Sequence, residues 1–270
     1  CPTDAKRSTN VSYVPAALER GAMVLTGARV VRVLVESGRA VGVEAIAQRA
    51  DGPPIKVIVR ASAVVLSCGT LNTPALLLQN RLANGSGQVG RNLTIHPASY
   101  AWAALDEPVR GWNSVPQGYG VDDYVHEGIR FEGAFLPLEL AAASIGRVGS
   151  RWTEMVESLD RMACFGFMIA ETSRGRVILG PGGEPQMTYW LDDNDRRRTL
   201  RGHGILARIF LAGGARAVYP GVIGEGFDEL TSVADVERFE REAPGAIRPH
   251  HLDLSAYHPL GTCRMGSDPR

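Results

Sequence analysis

The sequence is poor in the features that identify many protein classes directly. Its 270 residues hold only four cysteines, Cys1, Cys68, Cys164 and Cys263. They lie far apart and form no CxxC pair, which argues against a zinc cluster or a disulfide framework. Net charge is absent: Lys plus Arg and Asp plus Glu both number 29. Nothing therefore points to nucleic acid or to an anionic membrane surface as a partner. No apolar run approaches the roughly 18 residues of a membrane-spanning helix, and no charged-then-apolar leader opens the chain. A G-x-S-x-G elbow is missing, so a Ser-His-Asp hydrolase has no nucleophile to stand on. HExxH is missing too. That leaves a metal-dependent hydrolase built on His250, His251, His258 and Cys263 as a weak alternative, because adjacent histidines rarely hold one ion. No metal is expected.

What is present is an ordinary globular composition, with 44% hydrophobic and 21% charged residues, long enough for one large domain or two smaller ones. The sequence is densest in chemistry at its end. Ala256 to Gly266, AYHPLGTCRMG, sets a histidine between an aromatic and a proline and follows it with a small-residue turn. Pro259 disfavours helix at His258, and Gly261 and Gly266 permit close backbone approaches. Such a loop can hold one imidazole rigidly, and imidazole is the side chain suited to taking and returning a proton near neutral pH.

Upstream, Ser8, Thr9 and Asn10 offer caps for a helix over Val11–Arg20 that Gly21 ends. Met23–Thr26 is a short apolar stretch. β-Branched runs near Val30–Val35, Ala40–Ala47 and Ile55–Val59, parted by Ser37-Gly38 and Asp51-Gly52-Pro53-Pro54, predict a small antiparallel meander. Ala63–Ser67 reads as a buried strand that turns through Cys68-Gly69-Thr70 into a helix from about Asn72 to Asn80. A strand, a glycine turn and a helix start make a common dinucleotide-contacting unit. Gly85-Ser86-Gly87-Gln88-Val89-Gly90 spells G-x-G-x-x-G, but a helix precedes it and a polar loop follows, the reverse of a dinucleotide fingerprint. Residues 100–247 hold most of the aromatics. Strands at 163–172, 176–179 and 186–191 predict an antiparallel sheet with an aromatic face. Helices follow from Asp192 to about Leu211 and from Thr231 to Glu242, the second capped near Ser232 or Asp235. Their charge runs read as solvated faces.

Several stretches together resemble one family. AYHPLGTCRMG resembles the C-terminal signature of the glucose–methanol–choline oxidoreductases, FAD-dependent oxidases and dehydrogenases of alcohols. GTLNTPALLLQN is similar to the family's second signature, although Arg81-Leu82 replaces the usual Ser-Gly. VGRNLTIHP is similar to its Val-Gly-x-Asn-Leu-x-x-His-Pro loop. The N-terminal segment also resembles the family, with Asp4 in place of a more usual glycine.

The resemblance implies an α/β (α+β) fold: part of an FAD-binding Rossmann-like domain plus a substrate-binding domain with an antiparallel sheet and flanking helices. It divides the chain into 1–99, the central part of the FAD-binding domain; 100–248, the substrate-binding cap; and 249–270, a return to the FAD-binding domain. It implies His258 as catalytic acid/base, and Val30, Gly69 and Tyr257 as cofactor-binding residues: the Val30 backbone at the adenine and Tyr257 beside the flavin ring. It implies FAD as cofactor, a small-molecule alcohol as substrate, and oxygen or a quinone-like carrier as electron acceptor. His96 is expected to be structural, and His126 and His203 ordinary. The family's N-terminal GxGxxG unit and a second catalytic histidine or asparagine are not in the sequence. A fragment, inactive alone and of cytoplasmic origin, is the expectation. A non-catalytic or decayed binding domain is the alternative.

Overall fold

A computed structural model describes residues 5–113, 115, 117–133, 135–224 and 226–266. The chain falls into two units. One holds residues 1–68 with 79–82, the other 69–78 with 83–270.

In the first unit a 3₁₀ turn, Thr9–Val11, leads into α1, Tyr13–Glu19. Gly21 closes it with a left-handed backbone, φ 86°. Then β1 (Ala28–Glu36), β2 (Arg39–Ala47) and β3 (Ile55–Arg60) form the expected meander, in that order and antiparallel. Ser37 and Gly38 both take positive φ, 49° and 79°. That is the two-residue hairpin turn whose twist matches the strands it joins. In β1 the register shifts between Val30 and Arg32, leaving Val31 outside the pairing. Asn80 clamps this edge: Val33 N donates to its Oδ1 at 3.1 Å, and its Nδ2 donates to Val31 O at 3.3 Å.

Two apolar runs are not strands. Met23–Thr26 and Ala63–Ser67 lie in irregular backbone, with Met23 and Val65 almost fully exposed. Apolar composition makes no ladder unless another strand supplies N–H and C=O partners, and among the described residues none pairs with either run.

The second unit opens with the first ten residues of α2, Gly69–Asn80, a helix begun three residues earlier than the sequence predicts. It continues through β4 (Arg91–Leu93), β5 (Ala98–Ala104), β6 (Gly120–Val121), β7 (Ile129–Gly133), α3 (Leu138–Ser144) and α4 (Ser150–Glu157). Next come β8 (Met162–Ile169), β9 (Gly175–Leu179), β10 (Pro185–Thr188), α5 (Asp193–Ala212), β11 (Ala217–Pro220) and α6 (Val233–Ala246). The main sheet is antiparallel, ordered β11-β5-β8-β7-β6, and a smaller one is ordered β10-β9-β4.

Strand periodicity sorts the main sheet's two faces. Ala101, Ala103, Phe131, Phe167 and Ile169 pack against Leu200, Ile205 and Leu206 of α5 and Phe239 of α6. Trp102, Ala104, Met162, Ala217 and Tyr219 face the other way, onto Ala141, Ile145, Met155 and Leu159. The aromatics therefore divide between both faces instead of lining one, because neighbouring strand positions point oppositely.

The charge run opening α5 is only partly solvated, contrary to expectation. Asp192 caps the helix by accepting from Asp195 N at 2.8 Å. Asp195 is fully buried, where its Oδ2 accepts from Ser173 N at 2.7 Å and Ser173 Oγ at 2.6 Å. Buried Arg196 donates to Ile247 O at 2.9 Å. A buried charge survives only with such partners. α6 begins with a full capping box, Ser232 and Asp235 each bonding the other's backbone. No described helix is long and apolar enough to cross a membrane.

Candidate active site

His258 lies on a loop that is fastened on both sides to the segment carrying Thr94 and Ala98. Thr94 and Leu260 exchange both backbone bonds, at 3.0 and 2.9 Å; Ala98 and Ser255 do the same, at 2.8 and 2.9 Å. These two antiparallel bridges bracket the histidine. Gly90 N adds a bond to Thr262 O at 2.8 Å. At Gly261 the two segments pack backbone against backbone. A Cβ there would lie 2.2 Å from Asn92 O, and its φ is +90°, so the position demands glycine on two counts.

The loop is also tied to the start of α2. Thr70 Oγ1 donates to Pro259 O at 2.6 Å, and Thr262 Oγ1 donates to Thr70 O at 2.7 Å. The second bond has a cause in the sequence. Pro74 sits inside α2, and its missing N–H is the one that would have reached the carbonyl four residues back, that of Thr70. The Thr262 hydroxyl supplies the missing donor. One motif thus leaves an acceptor open and the other fills it, 192 positions apart.

A cavity of about 790 Å³ opens beside this loop, with Tyr257 and His258 in its wall. Ala98, Leu136, Leu140, Ala143, Cys164 and Phe167 make much of the rest apolar. Burial pushes the Cys164 thiol up to about 12. Ser99, Tyr100, Ser144 and Asp253 of the wall join in one network with His203 behind them. Ser99 Oγ donates to Asp253 O at 2.7 Å. Having only one hydrogen, that hydroxyl must accept from His203, whose Nε2 is 3.0 Å away. His203 is therefore the Nε2–H tautomer. Its Nδ1 is buried without a partner, its ring meets Phe167 edge-on at 5.1 Å, and burial drives its pKa down to about 3. Tyr100 Oη lies 2.6 Å from Asp253 Oδ2 and 2.5 Å from Ser144 O. Burial, then the neighbouring Asp253 carboxylate, holds the Tyr100 phenol well above its usual range.

Of the residues singled out in the sequence, Tyr257 and His258 line the cavity. Gly69 is the first residue of α2, next to Thr70, with a left-handed φ of +78° and open space where a side chain would be. Val30 belongs to the first unit, in β1 at the register shift. His96 is closer to the site than its sequence context implies: its ring centroid is 6.0 Å from that of His258. The sequence reading passed over Ser99, Tyr100, His203 and Asp253. His203 carried a usable signal, lying three residues after Leu200 and three before Leu206 on the buried stripe of α5. Among the described residues no group of three or more His, Cys, Asp or Glu side chains could hold a metal ion.

Comparison with known proteins follows the same stretches. An uncharacterised GMC-type oxidoreductase of Mycobacterium tuberculosis (strain ATCC 25618 / H37Rv) is 30% identical over 99% of this chain and 41% of its own length. A long-chain-alcohol oxidase of Arabidopsis thaliana is 27% identical over 98% of this chain and 38% of its own. The chain thus spans about two fifths of the length of these relatives. Among solved structures, an FAD-dependent oxidoreductase from Chaetomium thermophilum aligns over 94% of this chain and 50% of its own, at a TM-score of 0.40 and 15% identity. The N-terminal GMC oxidoreductase model matches residues 1–98 and the C-terminal one residues 171–270. The two matches enclose the α2 start, the fastened histidine loop and half of the cavity network, and the chain belongs to the GMC oxidoreductase family.

Proposed function

We propose that this chain is part of an FAD-dependent oxidoreductase that acts on the CH–OH group of a small-molecule alcohol, with His258 as the acid/base. The observation that carries the reading is the cavity of about 790 Å³. It is within the size range of small-molecule sites, is largely apolar, and has in its wall an imidazole carried on a loop bridged at both ends. Alcohol oxidation needs a base for the hydroxyl proton and an acceptor for the carbon-bound hydride. His258 serves the first need; it takes the hydroxyl proton as the C–H bond breaks and returns it to solvent. FAD, when bound, supplies the second.

Two features of the chain fit that cofactor. Gly69 opens α2 with free space at its Cα, and a helix start offers backbone N–H groups to a phosphate. In the first unit, β1 is an edge strand with Val31 out of register beside Val30. Its backbone there is a surface on which the polar edge of an adenine can sit. Tyr257, exposed in the cavity wall, is suited to border the flavin ring. The reading keeps residues 1–99 and 249–270 for the cofactor side and 100–248 for the substrate side. Leu136, Leu140, Ala143 and Phe167 favour an apolar alcohol, in keeping with the name of the Arabidopsis relative. Oxygen or a quinone-like carrier would be the electron acceptor that such a cofactor requires. Cys164 and Cys263 carry free thiols, which suits a reducing compartment such as the cytoplasm.

The test is anaerobic. The protein, with the flanks its relatives carry, is loaded with FAD and mixed with a panel of aliphatic, aromatic and sugar alcohols. Bleaching of the flavin band by one of them is the expected result, slowed by about 10² to 10⁴ in His258→Ala. A protein that binds no FAD, or a flavin that no alcohol bleaches, would sink the reading and favour a non-catalytic binding domain.

A further inference from the structure

Between the bridges Thr94–Leu260 and Ala98–Ser255, the two segments run antiparallel. Three residues separate Thr94 from Ala98 and four separate Ser255 from Leu260, so the pairing slips by one between the bridges; counted from Thr94 and Leu260, His96 falls opposite His258. The geometry agrees: their ring centroids are 6.0 Å apart at an interplanar angle of 41°. His258 lines the cavity and His96 does not.

His96 is also held with more effort than a loop residue needs. Its φ is 47°, a left-handed conformation uncommon outside glycine. Glu171 hooks it there: one buried carboxylate oxygen accepts from Ile95 N at 2.6 Å and from His96 N at 3.0 Å. Pro97 follows, and its carbonyl accepts from Ile169 N at 3.0 Å, anchoring the segment to β8. A left-handed backbone fixed from both sides holds the His96 ring beside that of His258.

We propose that His96 is the positioning residue of His258: its ring packs against the imidazole and fixes the direction in which that imidazole faces the cavity. Catalytic consequences rest on the function proposed above; the pairing of the rings does not.

The experiment therefore has two arms. In the first, without flavin, histidine-selective NMR of the unsubstituted protein should show a nuclear Overhauser contact between the two rings. In His96→Asn, which tolerates left-handed backbone, the His258 ring signals should move while those of His203 stay. His96→Gly is the second variant, should Asn fail to fold. No contact between the rings, or an unmoved His258, overturns the proposal. In the second arm, with FAD bound, His96→Asn should slow flavin reduction by the alcohol about 10-fold or more with the half-saturating alcohol concentration unchanged. His96→Phe, which restores a ring, should recover most of that loss. A rate unchanged in His96→Asn, or no recovery in His96→Phe, overturns positioning by ring contact. If no alcohol reduces the flavin of the unsubstituted protein, the proposed function fails, and the first arm still decides the pairing.

Discussion

Pro74 and Thr262 share the carbonyl of Thr70: the proline withholds the helical N–H that would have bonded it, and the threonine hydroxyl donates to it at 2.7 Å. The relationship makes a prediction that neither residue makes alone. Thr262 is buried, so Thr262→Val should cost about 1–2 kcal/mol by leaving that carbonyl short of a donor. In a Pro74→Ala background the new N–H at position 74 can bond the same oxygen, and the cost of Thr262→Val should fall by about half. Urea unfolding of the four proteins measures the coupling. Equal costs in both backgrounds would mean that the proline plays no part in the bond.

Gly261 tests how tightly the histidine loop is seated. Alanine there would meet a backbone carbonyl at 2.2 Å with φ at +90°, and a backbone atom cannot swing aside as a side chain can. Gly261→Ala should destabilise by about 2–4 kcal/mol and shift the NMR signals of His258, three residues away. A variant as stable as the parent would show that the two segments are less closely packed than described.

His203 sets a pH dependence whose sign is fixed. Its folded pKa is near 3 against an ordinary 6.5, with burial as the cause. Above pH 6.5 it is neutral in both states and adds no slope. Between 6.5 and 3 the unfolded chain binds a proton that the folded chain refuses. Stability is therefore lost as pH falls through that window, by up to about 1.4 kcal/mol per pH unit. Asp195, lowered from 3.8, and Glu127 and Glu240, lowered from 4.5, act in the same direction at more acid pH, so the part of the slope nearest pH 6.5, down to about 5.5, is the histidine's. His203→Gln, which keeps a donor for Ser99, should flatten the slope there. An unaltered slope would assign it to other groups.

What the sequence discloses and what it hides divide along physical lines. Hairpins and caps were legible because their signals are local: Ser37-Gly38 specifies a turn by backbone preference, and Ser232 with Asp235 specifies a helix start by side-chain bonding. The loop of His258 stands out in the sequence because its neighbours are unusual together, and the structure places that residue in the cavity wall. Ala63–Ser67 misled, since a strand is a property of a pair and composition describes only one member. Asp195 and His203 were hidden for a related reason. Their burial depends on Ser173 and Ser99, which lie 22 and 104 positions away and carry no mark of the bond. His96 was read from its own loop alone, and the bridges that bring it to His258 join residues more than 150 positions apart.

Glu171 supplies the last prediction, because one oxygen carries two jobs. It accepts from both Ile95 N and His96 N, at 2.6 and 3.0 Å, and it is buried. Glu171→Gln keeps an acceptor of the same shape and loses only the charge, so it should cost about 1 kcal/mol, the difference between charged and neutral hydrogen bonds. Glu171→Leu keeps the bulk but leaves two amides unpaired, which should cost about 3 kcal/mol or more. The loss should also be local before it is global: in Glu171→Leu the amides of Ile95 and His96 should exchange with solvent at least 10-fold faster, while those of β5 and β8 keep their relative protection. If Leu is tolerated as well as Gln, the left-handed turn at His96 holds itself, and the carboxylate is incidental to the site.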